Sequence, residues 1–346
     1  MKKSIFEENC SMTKKVYNWG ILAPGRIARK FATEIQQLEN ALVFAVGSTN
    51  DERAKEFAAE FGTKHSYNNY ADLVADPEVD IIYIASPHAF HAKQTLLCLD
   101  HHKPVLCEKA LGLNLTEVKK MVERARENKV FFMEAMMVPH QPSYQKAKQI
   151  IESGKLGKIK SIHSWFGFNK SPYDRSQRLM NPALGGGALL DIGLYPLFDT
   201  LYFLGEPQNI TASAEFAPTG IDQSVLVRLD YPDGLSASVF ASFVASSGVG
   251  TDIFCEFGTI RLRRQSALEQ WIEVETLLSG VKRYTYEEKF CGLKLEASEA
   301  MRCLDEHRLE SDLMPLSLSI SLMKYMDLIR HQTHIIYPGE REPAIE

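Results

Sequence analysis

The chain has 346 residues, of which 45% are hydrophobic and 24% charged, and its net charge is −5. A single hydrophobic core stops growing at roughly 250–300 residues, so this length predicts two domains. The acidic balance and scattered Lys and Arg argue against a nucleic-acid surface, and no run of ~18 apolar residues marks a membrane span.

The start, "MKKSIFEENCSMTKK", has two lysines but lacks the ~7–15 apolar residues of a secretory signal. Residues 1–16 therefore read as a loose leader, with Met12 an alternative start, and a cytoplasmic location is expected. From residue 17 to 135, short apolar runs alternate with helical patterns. The runs at 17–23, 41–48, 79–86, 103–108 and 130–135 are nearly continuous in apolar residues, as in strands covered on both faces. Between them "IARKFATEIQQLE", "DERAKEFAAEFG" and "NLTEVKKMVERARENK" predict helices. Gly62 is placed as a C-cap, and Asn114 or Thr116 as an N-cap. Leu115, Val118, Met121, Val122 and Ala125 form one apolar stripe. This alternation predicts a Rossmann-type, doubly wound parallel sheet.

After residue 136 the rhythm changes. A strand is expected at 158–169, then a helix from "ALLDIGLYPLFDTLYFLG" directly after Gly185-Gly186-Gly187. Longer strands follow at 209–217, 224–231, 235–244, 252–263, 270–278 and 281–288, with late helices at about 294–305 and 315–332. In "LSASVFASFV" alternate residues are apolar and only Phe240 breaks the pattern, which describes a strand with one buried face. Turns such as Pro232-Asp233-Gly234 favour hairpins. The second domain, 136–346, is thus read as α/β with a large open, mostly antiparallel sheet. The cysteines (Cys10, Cys98, Cys107, Cys255, Cys291 and Cys303) lie far apart, without a C-x-x-C pair, and read as reduced thiols.

The first strand runs into "GILAPGRIARKF". A dinucleotide fingerprint places G-x-G-x-x-G here so that backbone can approach a pyrophosphate at a helix N-terminus. The frame here is Ala23-x-Gly25-x-x-Ala28, with Arg26 and Ile27 opening the helix. An acid ~20 residues later holds a ribose 2′-hydroxyl, whereas a 2′-phosphate wants that acid absent and a base nearby. Ser48 and Thr49 occupy that place, Asp51 comes too late, and Arg53 is close enough to face a phosphate. NADP is therefore expected ahead of NAD. Ligands of such sheets sit at the carboxyl ends of strands, which here carry Pro87, His88, His91, Glu108 and Lys109. Glu108-Lys109 is either a solvated strand end or part of the chemistry. No acid or thiol lies at ligand spacing from the two histidines, so no metal is expected.

"GILAPGRIA", "SPHAFHAKQTLLCL", "KPVLCEKALGLN", "GKLGKIKSI" and "LGGGALLDIGLYPLFDTLYFLGEP" together resemble the glucose–fructose oxidoreductase and inositol dehydrogenase family (Gfo/Idh/MocA), nearest its dihydrodiol and D-xylose dehydrogenase branch. The resemblance implies a Rossmann domain, a second domain whose open sheet pairs subunits in a homodimer or higher homo-oligomer, and hydride exchange between NADP and a hydroxyl-bearing carbon of a sugar, polyol or dihydrodiol. It implies that Lys109 contacts the nicotinamide ribose and substrate, and that Asp191 and Tyr195 are the acidic and acid/base residues. Those two stand four apart on one helix and so share a face. Trp165, Phe168, Asn169 and Arg178 are further candidates for the substrate pocket. Two departures are visible: Ala110 replaces the motif's proline, which puts its cis-type turn in doubt, and Met137 and Pro139 stand where tryptophan and arginine are common. A redox-neutral exchange with retained nicotinamide, or a non-catalytic nicotinamide sensor, are the rival readings.

Overall fold

A computed structural model describes residues 15–170, 174–264, 269–276, 278–287 and 292–340. Most of the leader, with Met12 and Cys10, and also Cys291, lie outside the described residues.

Six strands form the first sheet: β1 (Tyr17–Leu22), β2 (Ala41–Gly47), β3 (His65–Tyr67), β4 (Ile81–Ile84), β5 (Val105–Glu108) and β6 (Phe132–Ala135). Their order is β3-β2-β1-β4-β5-β6, and every pairing is parallel. The helices are α1 (Arg26–Ile35), α2 (Asp51–Phe61), α3 (Tyr70–Ala75), α4 (His91–Asp100) and α5 (Leu115–Asn128). Every residue of β4, β5 and β6 is buried, which is why those runs read as continuously apolar. Asn114, not Thr116, caps α5 by accepting the Glu117 N–H, and Gly62 ends α2 at φ 69°. β3 and α3 escaped the sequence reading because β3 is three half-exposed residues with no apolar period. The strand order reverses between β1 and β4, and the crevice there is where this fold binds ligands.

The second sheet follows α6 (Pro142–Glu152). It comprises β7 (Ile159–Gly167), β8 (Asn209–Phe216), β9 (Asp222–Asp230), β10 (Ser236–Ser242), β11 (Gly248–Cys255), β12 (Gly258–Arg264), β13 (Glu269–Thr276) and β14 (Gly280–Glu287). The order is β14-β13-β12-β11-β7-β10-β9-β8; only β7 and β10 run parallel. The single strand expected at 252–263 is instead a hairpin, with Ile253 opposite Ile260 and Cys255 opposite Gly258. Both arms keep the same apolar alternation across a turn that contains no proline, so the pattern hides the reversal.

A wide helical turn, Leu189–Gly193, leads into α7 (Leu194–Leu204), and α8 (Leu293–Asp305) and α9 (Leu316–Thr333) close the chain. Helices α6, α7 and α9 pack on one face of the second sheet. On its other face Trp165, Phe240 and Leu226 lie side by side on β7, β10 and β9, and Leu226 is 52% exposed. Phe240, which broke the alternation, belongs to this open face. Pro182–Leu204 has the length and composition to cross a membrane, but 78% of its apolar window is buried inside the protein.

Candidate active site

A cavity of about 640 Å³ lies between the carboxyl rim of the parallel sheet and the second sheet. Its floor begins at the β1–α1 turn. Ala23 takes φ 67°, the left-handed conformation that the fingerprint's first glycine would adopt. Gly25 follows as the N-cap of α1 with no side chain closing the helix end. A Cβ placed at Gly25 would meet no protein atom nearer than 3.9 Å. The first amides of α1 thus face open space that a pyrophosphate would fill, with Arg26 and Lys30 beside it. The turn fits a dinucleotide. Ser48 is buried at the end of β2, and its Oγ accepts the Asn50 N–H at 3.1 Å. Thr49 and Arg53 are exposed just beyond it. Asp51 is committed to Lys55 at 2.6 Å; no ion pair involves Arg53 among the described residues.

The charged end of β5 is not a solvated strand end. Glu108 is 7% exposed and accepts a hydrogen bond from the Tyr83 hydroxyl. The Lys109–Ala110 bond is cis although alanine stands in proline's place. Lys109 Nζ donates to the Asp191 carbonyl at 2.6 Å and lies 3.4 Å from its carboxylate. Arg178 donates to the same carboxylate oxygen at 2.8 Å. On the other side Lys109 Nζ sits 4.9 Å from the centre of the Tyr195 ring, and the Arg264 guanidinium sits 5.5 Å from it.

The electrostatics follow from burial opposed by these partners. Burial alone would raise the Asp191 carboxyl, but Lys109 and then Arg178 hold it well below the usual carboxylate range. Burial pulls the Lys109 ammonium down, yet Asp191 and Tyr195 raise it above its ordinary value. The Tyr195 phenol is raised by burial, against the pull of Lys109 and Arg264. His88 Nδ1 lies 2.8 Å from the Gly185 carbonyl, and burial, then Arg178, push its imidazole well down, so it is neutral near pH 7. His91 Nδ1 and Nε2 lie 2.8 Å from the Ala110 and Ser86 carbonyls, of which a neutral ring donates to one; burial lowers it to about 4.

The triple glycine brings these groups together. A Cβ on Gly186 would approach the Arg178 carbonyl to 2.7 Å, and one on Gly187, at φ 131°, would strike the Asp222 carboxylate at 2.1 Å. Only glycine lets the segment carrying Arg178 close on the helix carrying Asp191. Asp222 secures that helix start by accepting the Leu189 N–H at 2.6 Å.

Of the residues singled out in the sequence, Gly25, Arg26, Ile27, Pro87, His88, Glu108, Lys109, Phe168, Arg178, Asp191 and Tyr195 line the cavity. Ala23, Ser48, Thr49, Arg53 and His91 are not in its lining. Asn169 is exposed outside it. Trp165 points to the open face, where its indole N–H donates to the Ser247 carbonyl at 3.1 Å; its neighbour Phe166 lines the cavity instead. Met137 is in the lining and Pro139 is not.

Residues 17–136 match the oxidoreductase family with an NAD-binding Rossmann fold, and residues 144–261 match the GFO/IDH/MocA C-terminal domain. The chain belongs to this family. Among Gfo/Idh/MocA proteins it is similar to trans-1,2-dihydrobenzene-1,2-diol dehydrogenase of Mus musculus, 32% identical over 93% of this chain and 98% of the other. It is also similar to the D-xylose 1-dehydrogenase (NADP(+)) of Hypocrea jecorina, 30% identical over 92% and 93%. Among solved structures, KijD10, a 3-ketoreductase from Actinomadura kijaniata in complex with NADP and TDP-benzene, superposes with a TM-score of 0.82 at 21% identity, covering 92% of this chain and 98% of that one. That likeness concerns the fold.

The reading from sequence missed Lys30, Phe166, Arg264 and Glu296, all in the lining. Glu296, from α8, is 1% exposed, and neither carboxyl oxygen has a hydrogen-bond partner. Burial, then the neighbouring Glu108 and Glu34, raise it well above the usual carboxylate range. Nothing near "LKLEASEA" signals this position, because it is defined by the packing of α8 on α1. Cys98, Cys107, Cys255 and Cys303 are free thiols. Among the described residues no group of three or more His, Cys, Asp and Glu side chains is set to hold a metal.

Proposed function

We propose that this Gfo/Idh/MocA oxidoreductase is an NADP-preferring dehydrogenase acting at a hydroxyl-bearing carbon of a sugar, polyol or dihydrodiol. The observation that carries the reading is the meeting of Lys109, Asp191 and Tyr195 in one cavity with the open Gly25 turn. Bound nicotinamide would supply the hydride acceptor or donor. The protein's own groups handle the proton: the Lys109 ammonium stabilises the Tyr195 phenolate, which takes the proton from the substrate hydroxyl and becomes the neutral phenol, and in the reverse direction the phenol returns it. Asp191, ionised and tied to Lys109 and Arg178, orients them and accepts a hydrogen bond from a neighbouring substrate hydroxyl. Gly25 and the first amides of α1 hold the pyrophosphate, with Arg26 and Ile27 against it and Pro87 and His88 on the nicotinamide side. The preference for NADP is supported by Ser48 and Thr49 in place of an acid, and by Arg53, uncommitted beyond them. The open face bearing Trp165, Phe240 and Leu226 supports a homodimer.

Purified protein incubated with NADP or NAD and a panel of aldoses, inositols and dihydrodiols, monitored by reduced-nicotinamide absorbance, tests this reading. Turnover should require NADP and fall ~10²–10⁴-fold in Tyr195→Phe, as expected on losing acid–base catalysis. A variant as active as the parent would remove Tyr195 from the proton's path.

A further inference from the structure

Positive charge at the substrate end of the cavity exceeds what the proton chemistry uses. Lys109 and Arg178 share one carboxylate oxygen of Asp191, and the buried Glu108 and Glu296 carboxyls stand in the same lining. Glu108 accepts the Tyr83 hydroxyl, and burial raises its carboxyl against the pull of Tyr83 and Lys109. A further cation stands alongside. Arg264, at the end of β12, lies 5.5 Å from the ring centres of both Phe166 and Tyr195. Its side chain has no hydrogen bond or ion pair among the described residues, although its charge is felt by the buried Asp199 carboxyl, whereas its strand neighbours Arg261 and Arg263 are paired with Glu275 and Asp252 at 2.8 and 2.6 Å. Arg26 and Lys30 lie at the dinucleotide turn and are accounted for there.

A guanidinium held beside two aromatic rings, with no side-chain hydrogen bond among the described residues, suits bidentate binding of a carboxylate or phosphate. Covered by a neutral sugar, the same half-buried group would lose water without gaining a charged partner, which is unfavourable. We propose that Arg264 recognises an anionic substituent, so that the substrate is a sugar or polyol carrying a carboxylate or phosphate rather than a neutral aldose. This rests on the dehydrogenase reading above. It also sets this chain's preference apart from the neutral compounds named for the mouse and Hypocrea jecorina relatives.

The full-length protein with NADP would be assayed on D-glucose, D-glucuronate and D-glucose 6-phosphate, in the parent, Arg264→Gln and Arg264→Lys. The quantity read is the ratio of anionic to neutral kcat/KM within each protein, which cancels any effect of Arg264 on Tyr195. The parent should favour at least one anionic sugar by about 10–100-fold, the scale of a charge-assisted hydrogen bond. Glutamine should abolish the preference and lysine keep part of it. Which of glucuronate and the phosphate is favoured identifies the anion. A parent ratio near one, or a ratio unchanged in Arg264→Gln, overturns the proposal. If none of the three sugars turns over, calorimetric binding of the same three to the NADP-loaded protein decides the matter independently of catalysis. Tighter anionic binding that Arg264→Gln removes supports it; equal or absent binding overturns it.

Discussion

The two sheets present their chemistry in different ways. The parallel sheet is buried on both faces, and everything it offers the cavity comes from strand ends: the Gly25 turn after β1, Pro87 and His88 after β4, Glu108 and Lys109 at the end of β5. The mixed sheet offers a face. Phe166 and Arg264 reach the cavity from β7 and β12, and Tyr195 and Asp191 come from the helix packed against that sheet. On the proposed reading the two tasks divide accordingly: the Gly25 turn would grip a cofactor through backbone, while Lys109, alone of the strand-end groups, would join the face and helix of the second domain in selecting and deprotonating a substrate through side chains.

That division can be broken by paired variants. Lys109→Met should lower turnover by ~10²–10⁴-fold, with NADPH affinity, read by fluorescence quenching, changed far less. Gly25→Val should do the reverse. Its Cβ meets no protein atom nearer than 3.9 Å, so thermal stability should hold while the branched side chain fills the space above α1. NADPH should then bind at least tenfold more weakly, about 1.4 kcal/mol. If both variants moved the same constant, the division of labour would be false.

A smaller shift tests the rim at β2. Ser48→Asp would set a carboxylate against a 2′-phosphate and provide an acceptor for a ribose hydroxyl. The NADP/NAD ratio of kcat/KM should fall by about tenfold, the weight of 1.4 kcal/mol. An unchanged ratio would move the ribose site away from Ser48.

The same contrast explains what could be read from sequence. The parallel sheet was legible because its strands are continuously apolar and its ligand contacts follow each strand directly in sequence. The mixed sheet was less so. In "SIHSWFGF" a buried Ser164 faces inward, half-buried Trp165 faces outward, and Phe166 faces inward again, so polarity does not reveal the phase. Trp165 therefore reads as a pocket residue, whereas Phe166 lines the cavity. Arg264 and Glu296 had no local signature at all, because only the closure of β12 and α8 onto the site brings them there. Asp191 and Tyr195 came through the family resemblance and their helical spacing.

Buried carboxyls give both sheets a common pH response. Burial raises Glu134 on β6 from 4.5 to about 7, and Asp222 on β9 from 3.8 to about 7. Each folded-state value exceeds the unfolded one, so the folded protein keeps protons that the unfolded chain releases. The stability these two groups contribute is then greatest below about pH 4, declines as pH rises through 7, and levels off above. Glu134→Gln should remove part of this slope and stabilise the protein at pH 8 by on the order of 1–3 kcal/mol, measured by urea unfolding at pH 5 and pH 8. An identical slope in the variant would show that Glu134 is ionised in the folded state.

The smallest effect on catalysis is expected where the mixed sheet turns away from the cavity. Trp165 and Phe166 are adjacent in sequence but lie on opposite faces of β7. Trp165→Glu should leave kcat and KM within about twofold, in the range of surface substitutions. It should shift the mass found by light scattering toward the monomer, because it puts a charge beside Phe240 and Leu226 on the apolar face. Phe166→Ala should change KM without changing that mass. A Trp165 variant that lost turnover while its mass stayed fixed would put the indole back in the substrate's path. One that kept both activity and mass would leave the open face without its partner copy. The expected pattern, mass altered and turnover kept, would separate the two faces of a single strand by function.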